Sequence, residues 1–351
     1  MGHVARRTAV ITLVAGSIIV VALALWKLRL VIALLFSAMI IAAAMRPGIE
    51  WLAGHRLPRP AGLALHYLAI FGLIAVMLAF AVPRALDQVD HALSPSGKAE
   101  IAHAAKTSTG IKHQVLTALQ KRLRHLPKGS ALIKPATQLG PKAFEVVIGI
   151  FFTLAAAAYW IFERDKAIDV VCSLLPRPQR KLIRDTWSLI DLRLGAFVRG
   201  QLILIGAVGI VLSLLFWAIG EPYWLLIGAF AGLVEVIPVI GPLVAGALAV
   251  GVGLTSSLHV ALFAAACVLV VRLLEDYLIM PKVLGDAVGL SPLLVLLSVS
   301  MVGILFSGWA VLFAVPIAAV GVTLFDVVVR NVDPAEEEVP AVIFSPKADE
   351  A

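Results

Sequence analysis

Apolar residues run through this chain in long stretches broken by short polar or proline-containing segments, and the lengths of those stretches predict its elements. Ala9–Leu25 and Leu30–Met45 are each about 17 residues or slightly fewer, enough for a helix to cross a ~30 Å hydrocarbon core if flanking side chains snorkel. Only Trp26-Lys27-Leu28-Arg29 separates them, which predicts a tight hairpin. Gly62–Val82 is the third span, introduced by Pro58 and Pro60 and closed by Pro83, and Ala143–Phe162 is the fourth. Leu202–Ile219 is the fifth, ending in the turn Gly220-Glu221-Pro222. Val260–Leu274, Ser291–Phe306 and Trp309–Phe325 follow, the last two joined at Ser307-Gly308 and interrupted by Pro316. The expected fold is all-α: a polytopic transmembrane helix bundle of about eight spans, with broken or re-entrant helices in the C-terminal half.

The stretch Gly228–Val250 departs from this pattern. Its flanks are apolar, but its middle reads Glu235-Val236-Ile237-Pro238-Val239-Ile240-Gly241-Pro242. Each proline removes a backbone donor and crowds the carbonyl four residues earlier, so a plain helix is excluded. In hydrocarbon such a break survives only against protein or a water-filled cavity. Tyr223–Leu254 is too long for one span and short for two, which fits a re-entrant hairpin or two half-helices meeting at Pro238 to Pro242. An ionisable group in a span faces a pathway and has a partner, so Glu235 marks this break as the candidate transport site. Gly228 and Gly232 form a small-xxx-small pair suited to close helix packing.

A second ionisable group follows. Arg272 stands three and four residues before Glu275 and Asp276, so on a helix the three form a local ion-pair cluster ahead of Pro281. The cluster reads either as an interfacial salt bridge or as a lining of the pathway. The joint at Gly308 and Pro316 reads as a second broken pair.

The polar segments divide the chain into residues 1–83, with N-terminal spans; 84–142, polar and basic; 143–330, the transport region with a hairpin at 163–199; and 331–351, an acidic tail expected to be disordered. Within 84–142, Ile111, Val115, Leu119, Leu123 and Leu126 recur at helical spacing among Lys112, Lys121, Arg122 and Arg124, predicting a basic amphipathic helix on the membrane face or a neighbouring subunit. In 163–199, Ile183, Trp187, Ile190, Leu194 and Phe197 share a face, predicting an arm along the inner membrane surface. Arg6, Arg7, Arg46, Arg56 and Arg59 favour cytoplasmic N- and C-termini, with 84–142 outside.

Composition agrees with this reading: 61% of the 351 residues are hydrophobic and 15% charged, against about 25% charged in a soluble domain. The net charge of +7 is carried largely by loops flanking the spans, so no nucleic-acid partner is implied. Cys172 and Cys267 lie far apart without ligand spacing, and His91, His103, His113 and His125 form no i, i+4 pair, so no disulfide, metal or cofactor is expected. Gly97-Lys98 is followed by Ala99, so the chain has no G-x-x-x-x-G-K-[ST] loop with which to hydrolyse a nucleotide. It also lacks G-x-S-x-G and H-E-x-x-H, which makes an enzyme the weaker class.

The motif Glu235-x-Ile237-Pro238-x-x-Gly241-Pro242 resembles that of the autoinducer-2 exporter family of bacterial membrane proteins. Phe197-Val198-Arg199-Gly200-Gln201 is similar to the family's aromatic-x-Arg-Gly-Gln motif, and Pro281-Lys282-x-x-Gly285, Leu290-Ser291-Pro292-Leu293 and Gly308-Trp309-Ala310-x-x-x-Ala314-Val315-Pro316 follow its C-terminal pattern. Two departures are Glu275-Asp276-Tyr277, where members often carry an amide, and Ala310 in place of a second glycine. The resemblance implies an oligomeric transporter of the bacterial inner membrane, linked to export of a small signalling molecule or to sodium/proton exchange. The leading expectation is a secondary transporter or exporter of a small polar solute. A cation/proton antiporter with Glu235 as proton carrier is the alternative, and a non-transporting scaffold is the third reading.

Overall fold

The computed structural model describes residues 2–94, 140–237, 240–279, 290–306, 308–337 and 339, with isolated positions at 99, 103, 106, 114 and 117. Its helices are α1 (Gly2–Lys27), α2 (Arg29–Gly54), α3 (Arg59–Leu93), α4 (Gly140–Ser173), α5 (Arg177–Ala218), α6 (Trp224–Val234), α7 (Ile240–Ser256), α8 (Leu258–Leu274), α9 (Pro292–Leu305) and α10 (Ala314–Val328). A π-helical turn, Glu275–Ile279, continues α8, and a 3-10 turn, Gly308–Phe313, precedes α10. Among the described residues seven helices are long and apolar enough to cross a membrane, three shorter apolar helices accompany them, and there is no strand. The expected all-α bundle is therefore present. The basic helix expected at Ile111–Leu126 lies outside the described residues, apart from positions 114 and 117.

Four boundaries differ from the sequence reading. No hairpin forms at Trp26–Arg29: Leu28 keeps near-helical dihedrals, donates to Ala24 O at 2.9 Å and accepts from Ile32 N at 3.0 Å, so the chain direction is not reversed there. Pro83 does not close the third helix, which continues to Leu93, because a membrane helix tolerates an internal proline. The arm expected along the membrane surface is not separate from the fifth span. With Pro178 in the first turn, where no intrahelical donor is needed, α5 runs unbroken for 42 residues. Pro316 likewise sits in the first turn of α10 and interrupts nothing; the irregularity falls earlier, in the 3-10 turn at Gly308–Phe313.

The long helix α5 is the axis of the molecule. The charged stretch just ahead of its apolar half is buried, with Asp191, Arg193, Leu194, Ala196 and Arg199 all covered, whereas Arg177, Arg180 and Arg184 at its start are exposed. Arg164 of α4 pairs with Asp191 and donates to Ser188, tying α4 to α5. Arg193 donates to Thr323 of α10 at 2.8 Å and to Glu337 at 2.8 Å, so the first part of the acidic tail is packed back on α5. Where α2 crosses α5, Gly195 leaves no room for a Cβ against the Ala43 carbonyl. That carbonyl is the one Pro47 deprives of its helical donor. Arg199 Nη1 supplies donors instead, at 3.4 Å to Ala43 O and 3.1 Å to Ala44 O.

Beyond Gln201, α5 becomes apolar and receives α6 antiparallel. A Cβ on Gly228 would lie 2.6 Å from Ser213 Cα, and one on Gly232 would lie 2.6 Å from Ile205 O and 2.7 Å from Gly209 Cα. The small-xxx-small pair therefore does bring two backbones together. Next, α7 returns along α6, and α8 descends along α7, with Ala261 against Gly253 and Val268 against Gly246. Val208, Leu212, Phe216, Ile227, Ala231, Ala245, Ala249, Ala264 and Val271 form the core of this four-helix half.

Candidate functional site

The hairpin α6–α7 has both feet beside the Glu221 turn and its tip level with Gln201. At ~1.5 Å per residue, α6 is about 17 Å long and α7 about 26 Å. The break thus lies where α5 changes from apolar to polar, deeper than the middle of its apolar stretch.

At the tip the helical ladder loosens. Glu235 N donates to Ala231 O at 3.2 Å, Val236 N to Leu233 O at 3.4 Å and Ile237 N to Val234 O at 3.0 Å, before Gly241 N meets Ile237 O at 2.9 Å. Gly241 is packed so closely on the Val234 carbonyl that a Cβ would not fit. Pro238 and Pro281 lie outside the described residues. The Glu235 carbonyl accepts a hydrogen bond from Gln201 Nε2 of α5 at 2.9 Å. Gln201 is a residue whose role the sequence did not give. An amide opening an apolar run must find a partner in lipid, and that requirement is the signal by which it can be found.

The Glu235 side chain is buried, and its partner is Arg272 of α8, Nη1 to Oε1 at 3.5 Å. The same guanidinium meets Glu275 at 3.1 Å and Asp276 at 2.9 Å. Two features that the sequence left separate, the carboxylate of the break and the cluster after α8, are therefore one site. The π-helical turn beginning at Glu275 is the local irregularity that accompanies it; such turns recur at functional sites. Three carboxyl groups share one arginine, so the set carries a formal charge of −2 when all are ionised. Pro242 and Ala245 of α7, Leu212 of α5 and Val271 of α8 close a cavity of about 10 Å³ around Glu235, Arg272 and Glu275, room for one water-sized body.

Of the candidate residues, Glu235, Gly241, Pro242, Arg272, Glu275 and Asp276 are brought together. Pro316 belongs to a neighbouring wall, since Val315 and Ala319, on either side of it, pack on Phe197 and Leu204, which flank Gln201 along α5, while Gly308 opens the 3-10 turn ahead of α10.

A sequence profile of the family described as "AI-2E family transporter" matches residues 15–330. A Bacillus subtilis (strain 168) protein named "Putative transport protein YrrI" is 27% identical over 290 residues, covering 78% of this chain and 80% of its own. A Mycobacterium tuberculosis (strain CDC 1551 / Oshkosh) protein, "Putative transport protein MT0215", is 24% identical over 301 residues, covering 84% and 82%. The Escherichia coli (strain K12) "Putative permease PerM" is 30% identical over 201 residues, covering 56% of each chain.

Proposed function

Because this chain belongs to the AI-2E family of membrane transporters, we propose that it is a secondary transporter of a small polar solute, of the autoinducer-2 signalling type, coupled through the acids gathered at the hairpin tip. The observation that carries this reading is the meeting of Glu235 and Arg272 at a broken helix. Broken helices present backbone groups that do not complete a ladder, and such groups bind solutes and ions in transporters. The acids exceed their arginine, and a proton or cation arriving at the cluster offsets that excess. The cavity of about 10 Å³ among the described residues holds a water-sized body and is small for an organic solute. Passage therefore requires the tip of α6–α7 to move relative to α5 and α8, and Gln201 holds it until then.

The small cavity favours one further reading, cation/proton exchange with no organic solute, since a water-sized space suits an ion or proton alone. Proteoliposomes containing the full chain separate the two. Uptake of a labelled polar signalling solute that responds to an imposed pH gradient supports the first. Sodium-dependent proton movement, read by a pH-sensitive dye with no solute flux, replaces it with the second. No flux of either kind would sink both. In a bacterial inner membrane we place the C-terminus on the cytoplasmic side, together with the basic residues around Arg46 to Arg59.

A further inference from the structure

The opposite end of the hairpin holds another buried acid. The turn from α5 to α6 is fixed by two left-handed residues, Gly220 (φ 69°) and Tyr223 (φ 58°), and by Glu221 N donating to Phe216 O at 2.9 Å. This backbone turns the Glu221 side chain inward, where only 2% of the residue is exposed. Both carboxyl oxygens lack a hydrogen-bond partner among the described residues. Asp191, Glu235 and Glu275, the other buried acids among the described residues, each have an arginine. Glu221 has none.

The elements around it explain the isolation. Its Oε2 lies 3.0 Å from where a Cβ on Gly253 of α7 would be, at the point where Gly253 meets Ala261 of α8. Phe216 of α5, Ile219 and Tyr223 of the turn and Trp224 of α6 belong to the same apolar core. Among the described residues no arginine, lysine or histidine forms an ion pair with Glu221, and the titratable group of α8 near it is the Cys267 thiol, which is no cation. Burial alone pushes the Glu221 carboxyl from its ordinary 4.5 up to about 8.

An ionised carboxylate without a partner in such surroundings is strongly disfavoured, and the group takes a proton instead. The neutral acid also permits the close approach of the turn, Gly253 and Ala261, since a charge there would draw water into the seam. We propose that Glu221 is a second proton-binding site of the transport half, loaded while the feet of the hairpin are closed on α8 and emptied when they part. Glu221 stands about 20 Å from Glu235 at ~1.5 Å per residue. The proposal does not require Glu235 to carry the coupling charge.

The test is an infrared pH titration of the full chain in lipid nanodiscs. A carboxylic-acid carbonyl band is expected at neutral pH, fading with a midpoint near 8. It should persist in Glu235→Gln and vanish in both Glu221→Gln and Glu221→Leu. Hydrogen exchange of residues 253–261, corrected for the intrinsic effect of pH, should rise from pH 6 to pH 9 in the parent and stay flat in Glu221→Gln, with pH values chosen on either side of about 8. The folded state binds the Glu221 proton more tightly than the unfolded chain, so stability falls as pH rises from about 4.5 to about 8. That decline should be reduced in Glu221→Gln. An unaltered carbonyl band in Glu221→Gln would overturn the proton site, and an identical exchange response in that variant would overturn its link to the opening of the feet. Loss of transport in Glu235→Gln with the Glu221 band intact would leave this site standing while the tip is judged separately.

Discussion

The tip and the feet of the α6–α7 hairpin both bury a glutamate, but they solve the problem differently. At the tip Glu235 faces Arg272, which also serves Glu275 and Asp276, and Gln201 secures the adjoining carbonyl. At the feet Glu221 is enclosed by helix backbones and apolar side chains and has no cation among the described residues. The same side chain is a member of a charged network in one place and an isolated acid in the other. Both stand shortly before a proline, Glu235 in a predicted break and Glu221 in a predicted turn; what separates them physically is whether another helix brings an arginine to the carboxylate.

The largest expected effect comes from removing that arginine. Arg272→Ala leaves three acids together without a cation, and should abolish transport and lower stability by about 3 kcal/mol, measured as a fall in the melting temperature of the purified protein. An Arg272→Ala protein with unchanged melting but no transport would confine the cluster to function. An intermediate effect is expected from Gln201→Leu, which keeps the volume but strands the Glu235 carbonyl at a cost of about 2 kcal/mol. If Gln201→Leu melts like the parent, the carbonyl has another donor and the tip is less tightly held than described. The smallest effect concerns the far end of α5, where Glu337 is more exposed than Arg193. Glu337→Gln should cost less than about 1 kcal/mol, read by thermal melting, and should leave flux unaltered.

Several features of this arrangement were legible in the sequence for physical reasons. Prolines at 238 and 242 exclude a continuous helix, Gly228 and Gly232 permit close packing, and Arg272 must reach Glu275 and Asp276 because helix periodicity puts them on one side. The all-α bundle followed from run length alone. The contact of Glu235 with Arg272 was not legible, because it joins residues on different helices through the return of α7 and α8. The prolines at 83 and 316 misled for a common reason: a proline in a first turn, or inside a membrane helix, need not end it. The arginines of the 163–199 segment read as loop charges, whereas Arg164 pairs with Asp191, Arg193 with Thr323 and Glu337, and Arg199 with the Ala43 carbonyl left open by Pro47 and its neighbour Ala44. Composition marks a charge but not the acid or carbonyl that another helix will bring to it.

The most direct test of the hairpin tip as the transport site is solute and proton flux in proteoliposomes, compared between the parent chain and Glu235→Gln across a range of pH. The substitution keeps the shape and hydrogen-bonding capacity of the side chain and removes only its charge. The account predicts that Glu235→Gln folds and inserts normally but loses transport by at least about tenfold, equivalent to a loss of about 1.4 kcal/mol, and that its remaining flux no longer follows pH. Full transport by Glu235→Gln with the parent's pH dependence would contradict it.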